Sequence, residues 1–352
     1  MARGLKQDME FDTKILENNE VMIDGQFIGK INGLKLELDL KKGSLETDIK
    51  SLKKAARQTV GPELQKRIEI IIETGLIELN DDFKIYWNKS PIAKIIQGKD
   101  YLYPNIDLIV DDILENNHKQ KLIDYLEKWL RNKIDGVLKS LIDLKNLKEK
   151  NASVKALAYQ LYENNGVIKR EQVSEYLKKL GQNERKILRD LGVKFGRYHV
   201  FLFRLIKPEA VSLRTLLWKN FHQKYFNLEP PKFGLNFLEN EKIKNRNFML
   251  LCGFEQFENI YVRIDILERL FMQIINSDSE NKKEIKMTPE MLNLLGCSKD
   301  NFKKLIKNMN YKIMEKENEI FFKYSPKKSI KKTKDKIIKE NPFQVLKDLN
   351  LR

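Results

Sequence analysis

Cysteine and histidine are scarce in this chain. Cys252 and Cys297 lie far apart, and the three histidines, His118, His199 and His222, are isolated from one another. Zinc sites need such residues at short spacings, and a disulfide framework needs several paired cysteines. The sequence therefore indicates neither a metal site nor a disulfide framework, and we predict that both thiols lie in hydrophobic cores.

Long apolar runs are also missing. No stretch of about eighteen apolar residues occurs, and the first ten residues, MARGLKQDME, lack the apolar segment of a secretory signal. We therefore expect a cytoplasmic protein without a membrane partner. The 352 residues, 41% of them apolar, are enough for ordinary cores in two or three domains.

A nucleotide-binding loop is absent as well, although Gly25 to Lys30 resembles one. A P-loop has four residues between its two glycines. A serine or threonine follows its lysine, and the hydroxyl of that residue binds Mg²⁺. Here only three residues separate Gly25 from Gly29, and Ile31 follows the lysine. No DExD or DExH box occurs, and Asp111-Asp112 is interpreted as a helix cap. We expect no nucleotide, metal or other cofactor in this chain and no independent catalysis, although sequence alone does not exclude a hydrolytic triad.

The chain instead begins with hairpin signals. The pairs Asp24-Gly25 and Asn32-Gly33 separate short apolar runs and predict a small β-meander. The segment VMIDGQFIGKI aligns with IYWNKSPIAKI 64 residues later, and helical periodicity follows each copy. We predict a duplicated ββαα-like region over residues 1–150, with a helix break at Gly61-Pro62.

The remaining pattern predicts an α+β, mainly helical fold. Residues 151–226 are interpreted as a basic helical domain with a β-hairpin that turns at Gly196-Arg197, and residues 227–247 as a linker or loop. Residues 248–324 contain three predicted helices followed by a hairpin, which is the order of a winged-helix module. There, Thr288 and Ser298 are predicted N-caps, and Gly296 ends the second helix. Residues 325–352 form a basic tail.

The positive charge is concentrated in two segments. The chain has a net charge of +16, of which residues 178–224 carry +9 and the tail from 325 carries +6. Such clustering favours a polyanionic partner, above all nucleic acid, through neutralisation of phosphates. A lysine-rich surface that serves only solubility is the alternative.

The candidate nucleic-acid-binding residues follow from this charge pattern. Around the predicted hairpin, cations that can neutralise phosphates alternate with aromatic side chains that can stack on unpaired bases. We expect the phenylalanines there to fill a core, and Arg197 and Tyr198 to be exposed at the turn. The candidates are Arg185, Lys186, Arg189, Lys194, Arg197, Tyr198, His199, Arg204 and Lys207, with Lys303, Lys304 and Lys307 on the third winged-helix-like helix and Lys327, Lys328, Lys331 and Lys332 in the tail.

Five segments in this order resemble a helicase family. They are LGVKFGRYHVFL, LIKPEAVSLRTLLW, VRIDILERL, TPEMLNLLGCS and NPFQVLKDL. Nearly the whole chain resembles the C-terminal half of large alphaproteobacterial helicases related to the mitochondrial degradosome RNA helicase, which are superfamily-two, Ski-like ATP-dependent motors. Phe203 stands where that family usually has proline, and the RecA-like motor is missing.

The resemblance implies a helicase accessory region, and the motor that would bind ATP and Mg²⁺ is not part of this sequence. We therefore predict a noncatalytic, nucleic-acid-binding module of a helicase system that engages RNA or single strands. The chain would then be a fragment, a split gene product or an adapter. The alternative is a scaffold that docks a separate helicase motor or nuclease, and an autonomous enzyme is a third possibility.

Overall fold

A computed structural model describes residues 12–39, 46–148, 151–240, 245–278 and 284–325. It shows a mixed α/β protein with several small antiparallel sheets. Helices hold 49% and strands 24% of the described residues, so helix predominates as the sequence predicts.

The first sheet is an antiparallel meander. Its strands are β1 (Thr13–Ile15), β2 (Glu20–Ile23), β3 (Gln26–Asn32) and β4 (Lys35–Leu38), paired in that order. Asp24 and Gly25 between β2 and β3 both have positive φ, 50° and 75°, as a tight hairpin turn requires. The first of the predicted turns is therefore confirmed.

Helix α1 (Glu46–Thr74) packs beside this sheet and continues through Pro62. The predicted break at Gly61-Pro62 is wrong. A proline inside a helix costs about 3 kcal/mol, whereas each fully buried aliphatic side chain contributes about 1.5–3 kcal/mol. The α1 stripe of Val60, Leu64, Ile68 and Ile71 is completely or almost completely buried, and its burial outweighs the cost of the proline.

The second sheet repeats the first. Strands β5 (Ile77–Leu79), β6 (Lys84–Trp87) and β7 (Ser90–Ile96) begin 64 residues after β1, β2 and β3, and β8 (Asn105–Leu108) completes the sheet in the same order. Both copies have a register shift at the equivalent place, after Val21 and after Ile85. Helices α2 (Asn116–Val137) and α3 (Lys139–Lys145) follow.

A three-helix, three-stranded unit comes next, and we call it the first unit. It contains α4 (Ala152–Glu163), β9 (Val167–Lys169), α5 (Ser174–Lys178), α6 (Gln182–Asp190), β10 (Val193–Phe195) and β11 (His199–Leu202). The sheet order is β10-β11-β9, so β11 is the central strand. Strand β9 was not predicted from the sequence. Helix α7 (Pro208–Phe221) follows the unit and packs against α2 and α8.

The segment 227–247 is not a plain linker. It contains β12 (Phe237–Glu239), which pairs with β14 (Ile260–Arg263), and α8 (Arg246–Leu251) begins inside it. Strand β13 (Phe254–Phe257) is the third member of this sheet. With three residues among polar neighbours, β12 is too short to show the alternation by which strands are identified in a sequence.

The second unit repeats the element order of the first. It contains α9 (Ile264–Asp278), β15 (Ile285–Lys286), α10 (Pro289–Leu295), α11 (Lys299–Asn308), β16 (Tyr311–Lys316) and β17 (Glu319–Tyr324), with sheet order β15-β17-β16. Ser298 caps α11 through its hydroxyl, and Gly296 ends α10 in the left-handed conformation, as predicted. Thr288 stands at the N-cap position of α10, but its side chain makes no capping hydrogen bond to the backbone.

Candidate nucleic-acid interface

Helix α6 and strand β10 meet at the ring of Phe195. The guanidinium carbons of Arg185 and Arg189 lie 5.6 and 5.7 Å from the centre of that ring, within cation–π distance. Leu188, on the same helix, is fully buried in the core of the unit. The sequence therefore brings the charged face of α6 next to the hairpin β10–β11.

Four exposed cations lie on this helix and hairpin. Lys186 and Arg189 belong to α6, Lys194 to β10, and Arg197 to the turn before β11. In the part of the chain that the structure describes, none of the four forms an ion pair. We call these four residues the basic surface. Unpaired, hydrated cations are the groups that release counterions from a phosphate backbone when they bind it.

Lys194 and Phe195 lie on opposite faces of the sheet. Successive side chains of a strand point to opposite faces of the sheet, and Phe195 points toward α6. Lys194 is nevertheless exposed because β10 is an edge strand. The basic surface is thus a band along α6 and the sheet edge and not a single flat face.

Arg185 has a structural role that the sequence did not indicate. It donates hydrogen bonds to the carbonyl oxygens of Leu177, at 2.9 Å, and Leu180, at 3.2 Å. Carbonyls in the last turn of a helix and just after it have no partner within the helix and need such donors. Arg185 therefore joins the end of α5 to α6, and unlike the other predicted cations of α6 it is half-buried and already bonded.

Arg204 and Lys207 lie away from the turn of the hairpin. Both are exposed, and they follow β11, whose last residue pairs with Val193 at the start of β10. A strand rises about 3.3 Å per residue, so the length of the hairpin separates them from Arg197. The Lys207 ammonium lies 4.8 Å from the centre of the Phe203 ring.

His199 was predicted to bind nucleic acid, but its side chain is completely buried. Its Nε2 lies 2.8 Å from Oε2 of Glu255, and its Nδ1 lies 3.5 Å from Oε1 of Glu268. Burial alone would lower the pKa of His199, but the contacts with the two carboxylates outweigh it and raise the pKa. In this position the imidazole cannot stack on a base.

Tyr198 is half-buried and not exposed as predicted. Its ring centre lies 5.6 Å from that of Phe271 and 6.1 Å from that of Phe257. Burial raises the pKa of its phenol, with a further contribution from the nearby carboxylates. The expectation failed because the sequence showed only a two-stranded hairpin, whereas β9 pairs with the other edge of β11 and rings from β13 and α9 pack on Tyr198.

Sequence analysis also missed the carboxylates that surround His199. Glu255 of β13 is fully buried, and it accepts hydrogen bonds from His199 and from Arg246, whose Nη2 lies 3.1 Å away. Burial alone would raise the pKa of Glu255, but the bonds to His199 and the nearby cations lower it. These carboxylates lie 56 and 69 positions from His199, and nothing in the local pattern connects them.

The lysines of α11 are largely neutralised. Lys303 lies 2.5 Å from Glu315 of β16, and Lys304 lies 3.0 Å from Glu239 of β12. Lys307 is exposed, and the described residues offer it no ion pair. Only one of the three predicted cations of this helix is therefore unpaired. The tail candidates Lys327, Lys328, Lys331 and Lys332 lie outside the described residues.

Other kinds of site are not evident in the described ranges. No group of three or more histidine, cysteine or acidic side chains is placed to hold a metal ion there. A polar cleft of about 670 Å³ lies between the two meanders, but its buried Arg67 is already bonded to Glu63, Asn19 and the carbonyl oxygen of Gly33. Within these ranges no helix is both long and apolar enough to cross a membrane.

Comparison with known proteins adds no relative. No family model, no curated protein and no solved structure gives a significant match to this chain. The relationship to Ski-like helicases therefore stays a hypothesis that rests on the five sequence segments alone.

Proposed function

We propose that this chain binds nucleic acid through the basic surface of its first unit, as a noncatalytic accessory module of a helicase system. The observation that carries the proposal is the placement of Lys186, Arg189, Lys194 and Arg197. Four exposed cations lie within twelve consecutive residues, on one helix and the hairpin packed against it, and no described carboxylate pairs with them. This arrangement suits a phosphate backbone.

We further propose that both units are winged-helix-like modules. Each has the order helix, strand, helix, helix, strand, strand, with the last strand in the middle of its sheet. In helix-turn-helix proteins a single recognition helix enters the groove of the nucleic acid. The corresponding third helix is α6 in the first unit and α11 in the second. The unpaired cations of α6 and the paired lysines of α11 favour the first unit as the binding module.

The buried or half-buried aromatic rings of the hairpin do not select the kind of nucleic acid. Stacking on unpaired bases would need exposed aromatic rings, and neither Tyr198 nor His199 offers one. The proposal that the ligand is RNA or a single strand therefore rests on the resemblance to Ski-like helicases, while the structure supports binding of phosphates. Any ATP hydrolysis would belong to a separate motor.

Charge reversal tests the proposal. We expect the double variant Lys194→Glu, Arg197→Glu to bind a fluorescent 20-nucleotide RNA far more weakly than the native chain. The matched control, Lys50→Glu with Lys54→Glu, reverses two exposed cations on α1 and should cost much less. Fluorescence anisotropy at fixed ionic strength measures both. Equal losses for the two variants would refute the assigned surface.

One observation favours the scaffold alternative. Phe226 and Phe233 are each 56% exposed and Leu235 is 41% exposed, all in the segment between α7 and β12. Phe233 and Leu235 line one small pocket together, and clustered exposed apolar groups mark protein contacts. Recovery of a motor or nuclease by the purified chain after nuclease treatment, with no binding of RNA or DNA by the chain itself, would favour this function.

A further inference from the structure

The turn of the hairpin β10–β11 is held by a carboxylate of the second unit. Glu268, on α9, accepts hydrogen bonds from three consecutive backbone N–H groups, those of Arg197, Tyr198 and His199. The distances from Tyr198 and His199 are 2.9 and 2.7 Å. Hydrogen bonds to a charged acceptor are about twice as strong as neutral ones.

Gly196 makes this contact possible. A methyl group added at its α-carbon would collide with the Glu268 carboxylate. The glycine does not have a positive φ, so the backbone itself would tolerate alanine. An alanine at this position therefore displaces the carboxylate without straining the turn, and offers a second way to break the contact.

The side chains of the turn strengthen the attachment. Tyr198 packs on Phe257 and Phe271, and His199 lies between Glu255 and Glu268. Both residues are thereby held against β13 and against α9 of the second unit. Arg197, the residue before them, is exposed.

We infer that Glu268 is a positioning residue for nucleic-acid binding, because it fixes the turn that carries Arg197, one of the four cations of the basic surface. The inference rests on the proposed function. It also assigns a role to the second unit, because α9 belongs to that unit and Glu268 of α9 holds the β10–β11 turn of the first unit.

The sign of the mutational effect separates positioning from simple electrostatics. A carboxylate near a phosphate-binding surface repels the ligand, so its removal alone should tighten binding. If Glu268 positions Arg197, its removal should weaken binding although a negative charge is lost.

The magnitude follows from the salt dependence. One phosphate contact contributes about 0.7–0.9 to the slope of log K against log salt concentration. If the native chain and a variant that lacks one phosphate contact bind RNA equally well at 1 M salt, the variant binds about 5- to 8-fold more weakly at 0.1 M salt. We expect this loss, with the matching decrease in slope, for Glu268→Ala, Gly196→Ala and Arg197→Ala.

The experiment measures RNA affinity by anisotropy from 50 to 300 mM KCl for these three variants. The double variant Arg197→Ala, Glu268→Ala should bind as weakly as either single variant, because both remove the same contact. Glu268→Gln keeps one acceptor oxygen and should bind more tightly than Glu268→Ala. The control Glu175→Ala removes an exposed carboxylate of α5 and should bind at least as tightly as the native chain.

The outcomes distinguish this inference from the proposed function. Tighter binding by Glu268→Ala, or additive losses in the double variant, would overturn the positioning role while the binding function stands. No binding by the native chain would refute the proposed function itself. If circular dichroism shows that Glu268→Ala does not fold, the RNA affinity of Gly196→Ala is the deciding measurement. An affinity of Gly196→Ala equal to that of the native chain would overturn the inference.

Discussion

Replacement of Arg214 should destabilise the protein strongly. This arginine of α7 is completely buried. It donates hydrogen bonds to the carbonyl oxygens of Asn165, at 2.8 Å, and of Leu205 and Leu251, both at 2.7 Å. One guanidinium thus joins three separate segments, and burial lowers the pKa of Arg214.

The expected loss can be worked from these contacts. A buried carbonyl left without a hydrogen-bond partner costs about 1–3 kcal/mol. Arg214→Ala leaves three such carbonyls, so it lowers the free energy of unfolding by about 3–9 kcal/mol from this cause. No carboxylate of the described residues pairs with this arginine, and removing its charge recovers part of the desolvation cost. We therefore expect a net loss of about 3–5 kcal/mol, at the upper end of single-residue effects.

Urea unfolding followed by circular dichroism measures this loss. The matched control is Arg204→Ala, which removes an exposed arginine from the same basic segment and should change the free energy of unfolding by less than about 0.5 kcal/mol. A loss below about 1 kcal/mol for Arg214→Ala would show that the three carbonyls find other partners and would refute the reasoning.

Three further predictions concern pH, helix α1 and the second unit. Because the pKa of His199 is raised and that of Glu255 is lowered, the native chain should be more stable than His199→Gln at pH values below about 6.5, the unfolded pKa of histidine. This stability advantage should fall as pH rises through the folded pKa of His199, where the imidazole loses its charge. It should also fall as pH drops through the folded pKa of Glu255, where the carboxylate loses its charge. A difference in melting temperature between the two proteins that does not vary with pH would contradict the prediction. Pro62→Ala restores a helix N–H donor in α1 and should raise the free energy of unfolding by about 1–2 kcal/mol in urea titrations, whereas destabilisation would show that the proline is required. Lys303→Ala and Lys304→Ala should change RNA affinity less than twofold in anisotropy titrations, because the paired carboxylates of Glu315 and Glu239 offset the lysine charges and repel a phosphate. A loss as large as that of Arg197→Ala would place α11 in the interface.

Local signals in the sequence were enough to find most elements. Ser298 and Gly296 fix the ends of their helices through hydrogen bonding and backbone geometry that depend on neighbouring residues only. The hairpin turn at Asp24-Gly25 is local in the same sense, and so the meander and its repeat could be predicted.

Long-range partners could not be predicted in this way. His199 looked like a surface aromatic because Glu255 and Glu268, which bind it, come much later in the chain. Lys304 looked like a free cation because Glu239 lies 65 positions away. Counting charge along the sequence also included Arg214, which is buried. Counting charge therefore locates the basic segment, and the fold separates its exposed cations from those already bonded.

The salt dependence of RNA binding tests the central claim most directly. If Lys186, Arg189, Lys194 and Arg197 each contact one phosphate of a single strand, the slope of log K against log salt is about −2.8, and affinity falls about 50-fold between 50 and 200 mM KCl. Alanine at all four positions should abolish most of this slope. An affinity for the native chain that does not change with salt, or a slope that survives the four substitutions, would contradict the account.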